Sequence, residues 1–204
     1  MATGLVTATL AGLAAAAVLA DSITMRASGT VLRTREASVG VAGEISSGAE
    51  GEYVTVTGKE CGIPGAFFRA LGGGTTLAGG RYELSVPIRT KTTLRAEWKE
   101  AKSATVAITP RAYVALTKRP GGFEVGLFSE AIQVDGKRIR IERLRPTGWK
   151  LLQTVVVKSE GYGGWAEKDK LRFKVPKGTT IRAVLPRSQT GPCLLAGYSQ
   201  LTRT

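Results

Sequence analysis

Apolar and polar residues alternate with period two along most of this chain. Residues 81–88, 92–98, 104–108, 137–144, 171–175 and 180–185 mostly alternate apolar with polar positions, the pattern of strands buried on one face. Further strands are expected at 31–45, 53–56, 67–71, 113–117, 123–128, 149–157 and 194–199. No stretch after residue 20 holds the 3.6-residue period of an amphipathic helix, so the chain reads as all-β. Gly72-Gly73-Gly74 and Gly79-Gly80 are expected to be hairpin glycines supplying positive φ, and Asp135-Gly136 reads as a hairpin turn.

The pattern occurs twice. Gly80-Arg81-Tyr82-Glu83-Leu84-Ser85-Val86-Pro87 runs into Thr92-Thr93-Leu94-Arg95-Ala96, and Lys170-Leu171-Arg172-Phe173-Lys174-Val175-Pro176 runs into Thr179-Thr180-Ile181-Arg182-Ala183, with the two Val-Pro pairs 89 residues apart. Upstream, Phe67, Phe68 and Leu71 are matched by Trp149, Leu151 and Leu152. A repeat of this length is a whole domain, since solenoid units run to about 20–50 residues. We therefore expect modules at 28–109 and 112–204, joined by Thr109-Pro110-Arg111 without a Gly/Ser tract, so that their mutual angle is restricted. With 43% hydrophobic and 22% charged residues the composition is that of a folded protein.

Residues 148–183, with Gly-Trp-Lys-Leu-Leu, then Leu-Arg-Phe-Lys-Val-Pro and Thr-Thr-Ile-Arg-Ala, and the matching Phe67-Phe68-Arg69-Ala70-Leu71 and 80–87 in the first module, resemble the Ig-like or fibronectin-like repeats of secreted and cell-surface proteins of GC-rich Gram-positive bacteria. The resemblance spans about residues 30–200. It implies two tandem Ig-like β-sandwiches, export, and a binding or spacer role, and it supplies no catalytic residues. In such a topology residues 53–56 form strand B of the first module, with Cys61 just beyond it at the pole away from the second module. Cys193 opens strand G at the pole facing the first. A bond between them would then have to span most of a domain, so two independent thiols or an intermolecular bond are expected.

Residues 5–20 are uncharged and mostly apolar and are followed by Asp21, with Val18 and Ala20 as the small residues of a cleavage site. They read as a signal-peptide core within a 1–20 leader, short for a spanning helix of about 20 residues, although no Lys or Arg precedes the run. A secreted or surface location follows, with no transmembrane span in the mature chain.

Charge then separates the halves. The chain carries +13 overall; residues 1–110 hold 11 basic and 9 acidic residues, and residues 111–204 hold 18 and 7. The second module is thus the one with a field suited to anionic partners such as wall polymers, acidic glycans or nucleic acid. Ile139 and Ile141 facing the core put Arg138 and Arg140 outward, and Leu171, Phe173 and Val175 facing the core put Arg172 and Lys174 outward. With residues 137–145 and 171–175 as neighbouring strands B and E of one sheet, these four cations would share a polyanion-binding face, or an ordinary solvated one. Tyr162 and Trp165 lie in a glycine-rich segment that either displays them for stacking or folds Trp165 over an open end of the sandwich. Trp98 and Trp149 occupy core-facing positions.

Several chemistries lack their parts. The chain has no His and no Asn, and its only Asp residues are Asp21, Asp135 and Asp169, which removes histidine-activated nucleophiles, histidine metal sites and calcium loops. Gly72–Thr76 lacks the lysine and helix of a phosphate loop, and 185–191 has the wrong spacing for a sortase signal and reads as a loop. No nucleic-acid-reading motif is present. The expectation is a non-enzymatic protein without catalytic, cofactor or metal residues, serving as a binding or structural module. Its partner would be an anionic polymer or a surface protein, or it would act as an accessory module of an extracellular enzyme.

Overall fold

The computed structural model describes residues 20–32, 38–130, 132–159 and 165–204, with backbone alone for 165–170. The expected leader therefore lies outside the described residues except for Ala20. Among the described residues no helix is long and apolar enough to cross a membrane.

The first half contains β1 (Arg26–Ala27), β2 (Val31–Leu32), β3 (Ser38–Glu44), β4 (Tyr53–Glu60), β5 (Arg69–Thr75), β6 (Arg81–Pro87), β7 (Thr92–Trp98), β8 (Ala101–Lys102) and β9 (Val106–Pro110). One sheet has the order β1-β3-β6 and the other β2-β9-β7-β4-β5, with β8 paired to β7. The second half contains β10 (Tyr113–Arg119), β11 (Gly122–Phe128), β12 (Arg138–Arg145), β13 (Gly148–Val156), β14 (Trp165–Leu171), β15 (Thr180–Leu185), the single-turn helix α1 (Arg187–Thr190), β16 (Gly197–Tyr198) and β17 (Thr202–Arg203). Here β10-β11-β14 faces β13-β12-β15-β16, and β17 also pairs with β15. The alternation that predicted strands is what closes each core: Val54 and Val56 of β4 and Leu94, Ala96 and Trp98 of β7 meet Val39, Val41, Tyr82 and Val86 of β3 and β6. In the second half Ile139, Ile141, Ile181, Ala183 and Leu185 meet Val114, Val125, Leu127 and Leu171. The two clusters share no residue. The first reaches back to Ile23, ahead of the boundary expected at 28.

The duplication is visible in registers as well as in sequence. Thr57 stands opposite Arg95 as Glu142 stands opposite Arg182. A β-bulge follows Val56 in one half and Ile141 in the other, leaving Leu71 and Leu152 as the extra residues, each packed against its own core. Ser103 Oγ accepts from Ala96 N at 2.9 Å and donates to Ala104 O at 2.8 Å. Ser199 repeats this with Ala183 N and Gln200 O at the same distances. Each serine occupies a buried polar position that would otherwise leave a backbone donor unpaired. Tyr82 Oη donates to Thr24 O at 2.6 Å, which ties the entering chain to the core, and burial pushes its phenol up to about 12.

Four expectations about strands are corrected. Residues 31–45 are not one strand: the chain makes β2 and then, after residues 33–37, β3 in the opposite sheet. Gly72, Gly73 and Gly74 lie inside β5 rather than in a hairpin. At Gly74 the reason for glycine is close approach, since a Cβ would sit 2.6 Å from Leu84 Cδ2; Gly79 and Gly80, in the turn before β6, do have positive φ of 78° and 71°. Asp135-Gly136 turns as expected, with Gly136 at φ 71°, but it carries the chain from one sheet to the other instead of closing a hairpin, because β11 and β12 are not paired. Trp149 is half-buried on an edge strand, outside the core, whereas Trp98 is 2% exposed.

Cys61 and Cys193 are joined, with Cα atoms 5.5 Å apart. The expected separation fails because of strand polarity. With β1 or β2, β3 and β4 preceding it, Cys61 follows the third strand level of the sandwich instead of the second. Both β4 and β9 run antiparallel to β7, with Glu60 and Ile108 opposite Thr92. The ends of β4 and β9 therefore emerge at one pole, the one from which the chain passes into the second half. Lys91 N donates to Cys193 O at 2.9 Å beside the bond, and Arg89 pairs with Glu130 at 2.8 Å.

Two outcomes follow. Trp98→Ala should destabilise the first half by about 3–5 kcal/mol through a core cavity, and Trp149→Ala the second by only about 1 kcal/mol, the scale of its cation–π contact. Denaturant unfolding with residue-resolved hydrogen exchange measures both, and equal losses would refute the placement of Trp149. Replacing Cys61 and Cys193 with serine should broaden the range of angles between the halves, seen by small-angle scattering, while amides of both cores stay protected. Loss of protection in either core would show that the bond holds a fold together rather than an orientation.

Candidate functional site

The face that stands out is the outer side of β13-β12-β15-β16/β17. Because Ile139 and Ile141 point into the core, Arg138, Arg140 and Glu142 point out; because Ile181 and Ala183 point in, Thr180, Arg182 and Val184 point out. Residues paired across strands share a face. Tyr198 opposite Val184 and Arg203 opposite Thr180 thus join the same surface.

Glu142 organises its centre. Glu142 is 4% exposed, with Arg140 Nη2 3.0 Å from its Oε1 and Arg182 Nε and Nη2 3.0 and 2.8 Å from its Oε2. Two cations share one anion, so the cluster keeps a net positive charge, and the carboxylate orients both guanidiniums. Arg182 also stacks on Trp149, its Cζ 4.0 Å from the ring centroid, and lies 5.3 Å from the Tyr198 ring. Arg111, from the connection between halves, stacks on Tyr198 at 5.2 Å and donates from Nη1 to Ala196 O at 2.6 Å. Stacked and hydrogen-bonded guanidiniums lose less side-chain entropy on binding an oxyanion than free ones do. Glu142 is the only acidic residue in these five strands. Leu144, Leu151, Val156 and Tyr198 are exposed on or beside the face at 45–46%. A groove of about 610 Å³ opens at its edge between β10 and residues 198–200, with Arg111 the one charged residue among the described residues that line it.

The same slot in the first half is electrically closed. Arg95, equivalent to Arg182, stacks on Phe68 at 3.9 Å and pairs with Glu97 at 2.6 Å, while Thr57 Oγ1 donates to Glu97 Oε1 at 3.0 Å. Arg69 pairs with Glu60. Burial alone would raise the Glu97 carboxyl, but the hydrogen bonds from Arg95 and Thr57 and the charges of Arg95 and Lys102 outweigh it and hold the group below its ordinary range. The aromatic–arginine pair is thus common to both halves, and the excess of cations belongs to the second.

The expected quartet of cations is divided. Arg138 and Arg140 are on this face. Arg172 and Lys174 follow β14, which ends at Leu171 and belongs to the other sheet; Arg172 Nε donates to Gly121 O at 3.2 Å, in the turn between β10 and β11. The expected neighbour relation fails because residues 137–145 form the third strand level of their sandwich, which crosses to the opposite sheet. Phe173 does point inward, packing on Phe123 with centroids 5.1 Å apart. Tyr162 lies outside the described residues. Trp165 opens β14 in register with Phe128, on a strand rather than in a displayed loop. Sequence reasoning missed Arg182, Arg203, Arg111 and Tyr198; the available signal was the arginine at the same outward step of both repeats, Arg95 and Arg182.

No protein-family model matches the chain, and no curated protein matches it. Among solved structures it is similar to a tetra-tandem repeat in the extending region of a large adhesion protein, at TM-score 0.36 and 13% identity over 91% of this chain and 49% of that one. It is also similar to purple acid phosphatase PPD1 from yellow lupin (Lupinus luteus) seeds, at TM-score 0.41 and 10% identity over 89% of this chain and 40% of that one. The chain spans less than half the length of either.

Since the folded Glu97 carboxyl is held below its ordinary value of 4.5, its stabilisation is present above that pH and is lost as pH falls through the lowered value. Glu97→Gln should therefore flatten the acid side of the first half's stability–pH curve. An unchanged curve would show that the Arg95 and Thr57 contacts contribute nothing to folding.

Proposed function

We propose that this chain is a non-enzymatic, exported pair of Ig-like modules that attaches to an anionic polymer through the outer sheet of its second half. The observation that carries the reading is the gathering of Arg111, Arg138, Arg140, Arg182 and Arg203 on one face whose five strands contain a single acidic residue. The strand order supports the Ig-like assignment: β10-β11-β14 opposite β13-β12-β15-β16 is the partition of an A-B-E sheet against a C′-C-F-G sheet. The apolar run at 5–20 supports export, and the absence of histidine from the chain supports a role other than catalysis. The first half, with its arginines paired, is the spacer in this reading, and the disulfide sets the angle at which the basic face is presented.

Attachment by arginines to a polyanion releases counterions, so log K should fall linearly with log salt, with a slope of about −0.7 to −0.9 per neutralised anion. Retention on heparin or polyphosphate across a salt series measures it. Arg138→Glu and Arg203→Glu should each weaken binding and reduce the slope by about one, while Arg172→Glu and Lys174→Glu leave it unchanged. Binding that is indifferent to the first pair, or lost with the second, would contradict the assignment.

A further inference from the structure

At the end of β15 remote from the connection between halves there is a separate cavity of about 460 Å³, with Arg143, Arg145, Gly178, Thr179 and Thr180 in its lining. Among the described residues no acidic side chain lines it. Arg143 lies on the core-facing step of β12, and its Nε is buried without a hydrogen-bond partner among the described residues. A buried charged donor left unpaired loses its hydration with nothing in return, and native proteins rarely leave one without a water or an ion. Arg145 brings a second guanidinium to the same cavity, and neither arginine pairs with a carboxylate among the described residues. The backbone around the cavity is already used: Gly178 N donates to Thr204 O at 3.0 Å and Thr179 N to Thr204 Oγ1 at 3.1 Å. The loop is therefore held in place by the chain, and the unspent donors among the described residues are those of the two arginines.

We propose that this cavity is a binding site for one tetrahedral oxyanion, a phosphate or sulfate group. Two planar guanidiniums can each present a pair of N–H donors to such a group, and the buried Nε–H supplies the direction that an exposed arginine pair lacks. The site is distinct from the outer face: Arg138, Arg140 and Arg182 point to the other side of the same sheet. It lies near one corner of that face, because Thr180, which lines the cavity, is the residue opposite Arg203. A free ion and an anionic group carried by a polymer would present the same chemistry here.

The test uses the full chain and amide NMR titrations with inorganic phosphate and, separately, sulfate and a short polyphosphate. Phosphate or sulfate should shift the amides of residues 143–145 and 178–180 in a saturable way. Arg143→Gln and Arg145→Gln should weaken that binding by at least about tenfold, the scale of one lost charge-assisted hydrogen bond, with Arg138→Gln within about twofold of the parent. Arg145 is exposed, so its variant tests the site even if Arg143→Gln unfolds. Added phosphate should also raise the thermal midpoint of the parent and leave that of Arg145→Gln unmoved. Absence of saturable shifts at these residues, or shifts unchanged in both variants, overturns the proposal and leaves water as the occupant. Polyphosphate binding that survives in Arg145→Gln while inorganic phosphate fails to bind the parent would do the same and leave the attachment reading standing. Small anions that bind here while no polymer binds the outer face would have the reverse consequence.

Discussion

The side chains of a strand alternate between faces, so the register and sheet membership of the central strand pair determine which residues are core and which are surface throughout each sandwich. In this chain that pair is β4 with β7 and β12 with β15. Its register puts Arg95 opposite Thr57 and Arg182 opposite Glu142, and the bulge beside it adds one leucine to each core without shifting the outward series. The position of the cysteines follows from the same pairing, since strands antiparallel to β7 must end together at the pole that meets the second half. Outer-face chemistry and the covalent tie between halves therefore have a common origin in strand direction.

The two outer faces show how one scaffold supports opposite electrostatics. Both halves retain an arginine stacked on an aromatic, Phe68 with Arg95 and Trp149 with Arg182, an arrangement that stiffens a long side chain against a sheet. In the first half a glutamate two residues along the same strand neutralises the arginine. In the second that position is Val184, and the carboxylate, moved to Glu142, is shared by two arginines. Small changes at equivalent positions thus convert a closed face into a cationic one without altering the fold beneath it.

Local patterns made much of this legible. Period-two alternation located most of the long strands, and the repeated Val-Pro and Thr-Thr runs disclosed the duplication. Arg138 and Arg140 were placed outward because Ile139 and Ile141 have nowhere to go but in. What alternation does not carry is which strand lies beside which. Reading residues 31–45 as one strand hid the passage from β2 to β3 in the opposite sheet, and the lost level reversed the inferred polarity of the strand before Cys61. The parallel error in the second half joined Arg138 and Arg140 to Arg172 and Lys174, which belong with the other sheet. Trp149 was misplaced because the bulge and the edge position of β13 are tertiary facts. Arg182 is in the repeated run, yet its value depends on Glu142, 40 residues away in sequence, and on Tyr198.

If the second half's outer sheet is the face that engages a polyanion, a footprint measured on the complex should coincide with it. Amide exchange and chemical-shift mapping of the full chain with a long polyphosphate should perturb β12, β15, β17 and Arg111 and leave β10, β11 and the first half's sheets as they are in the free protein. Perturbation concentrated on residues 172–174 and the β10–β11 turn, or spread equally over both halves, would contradict the account.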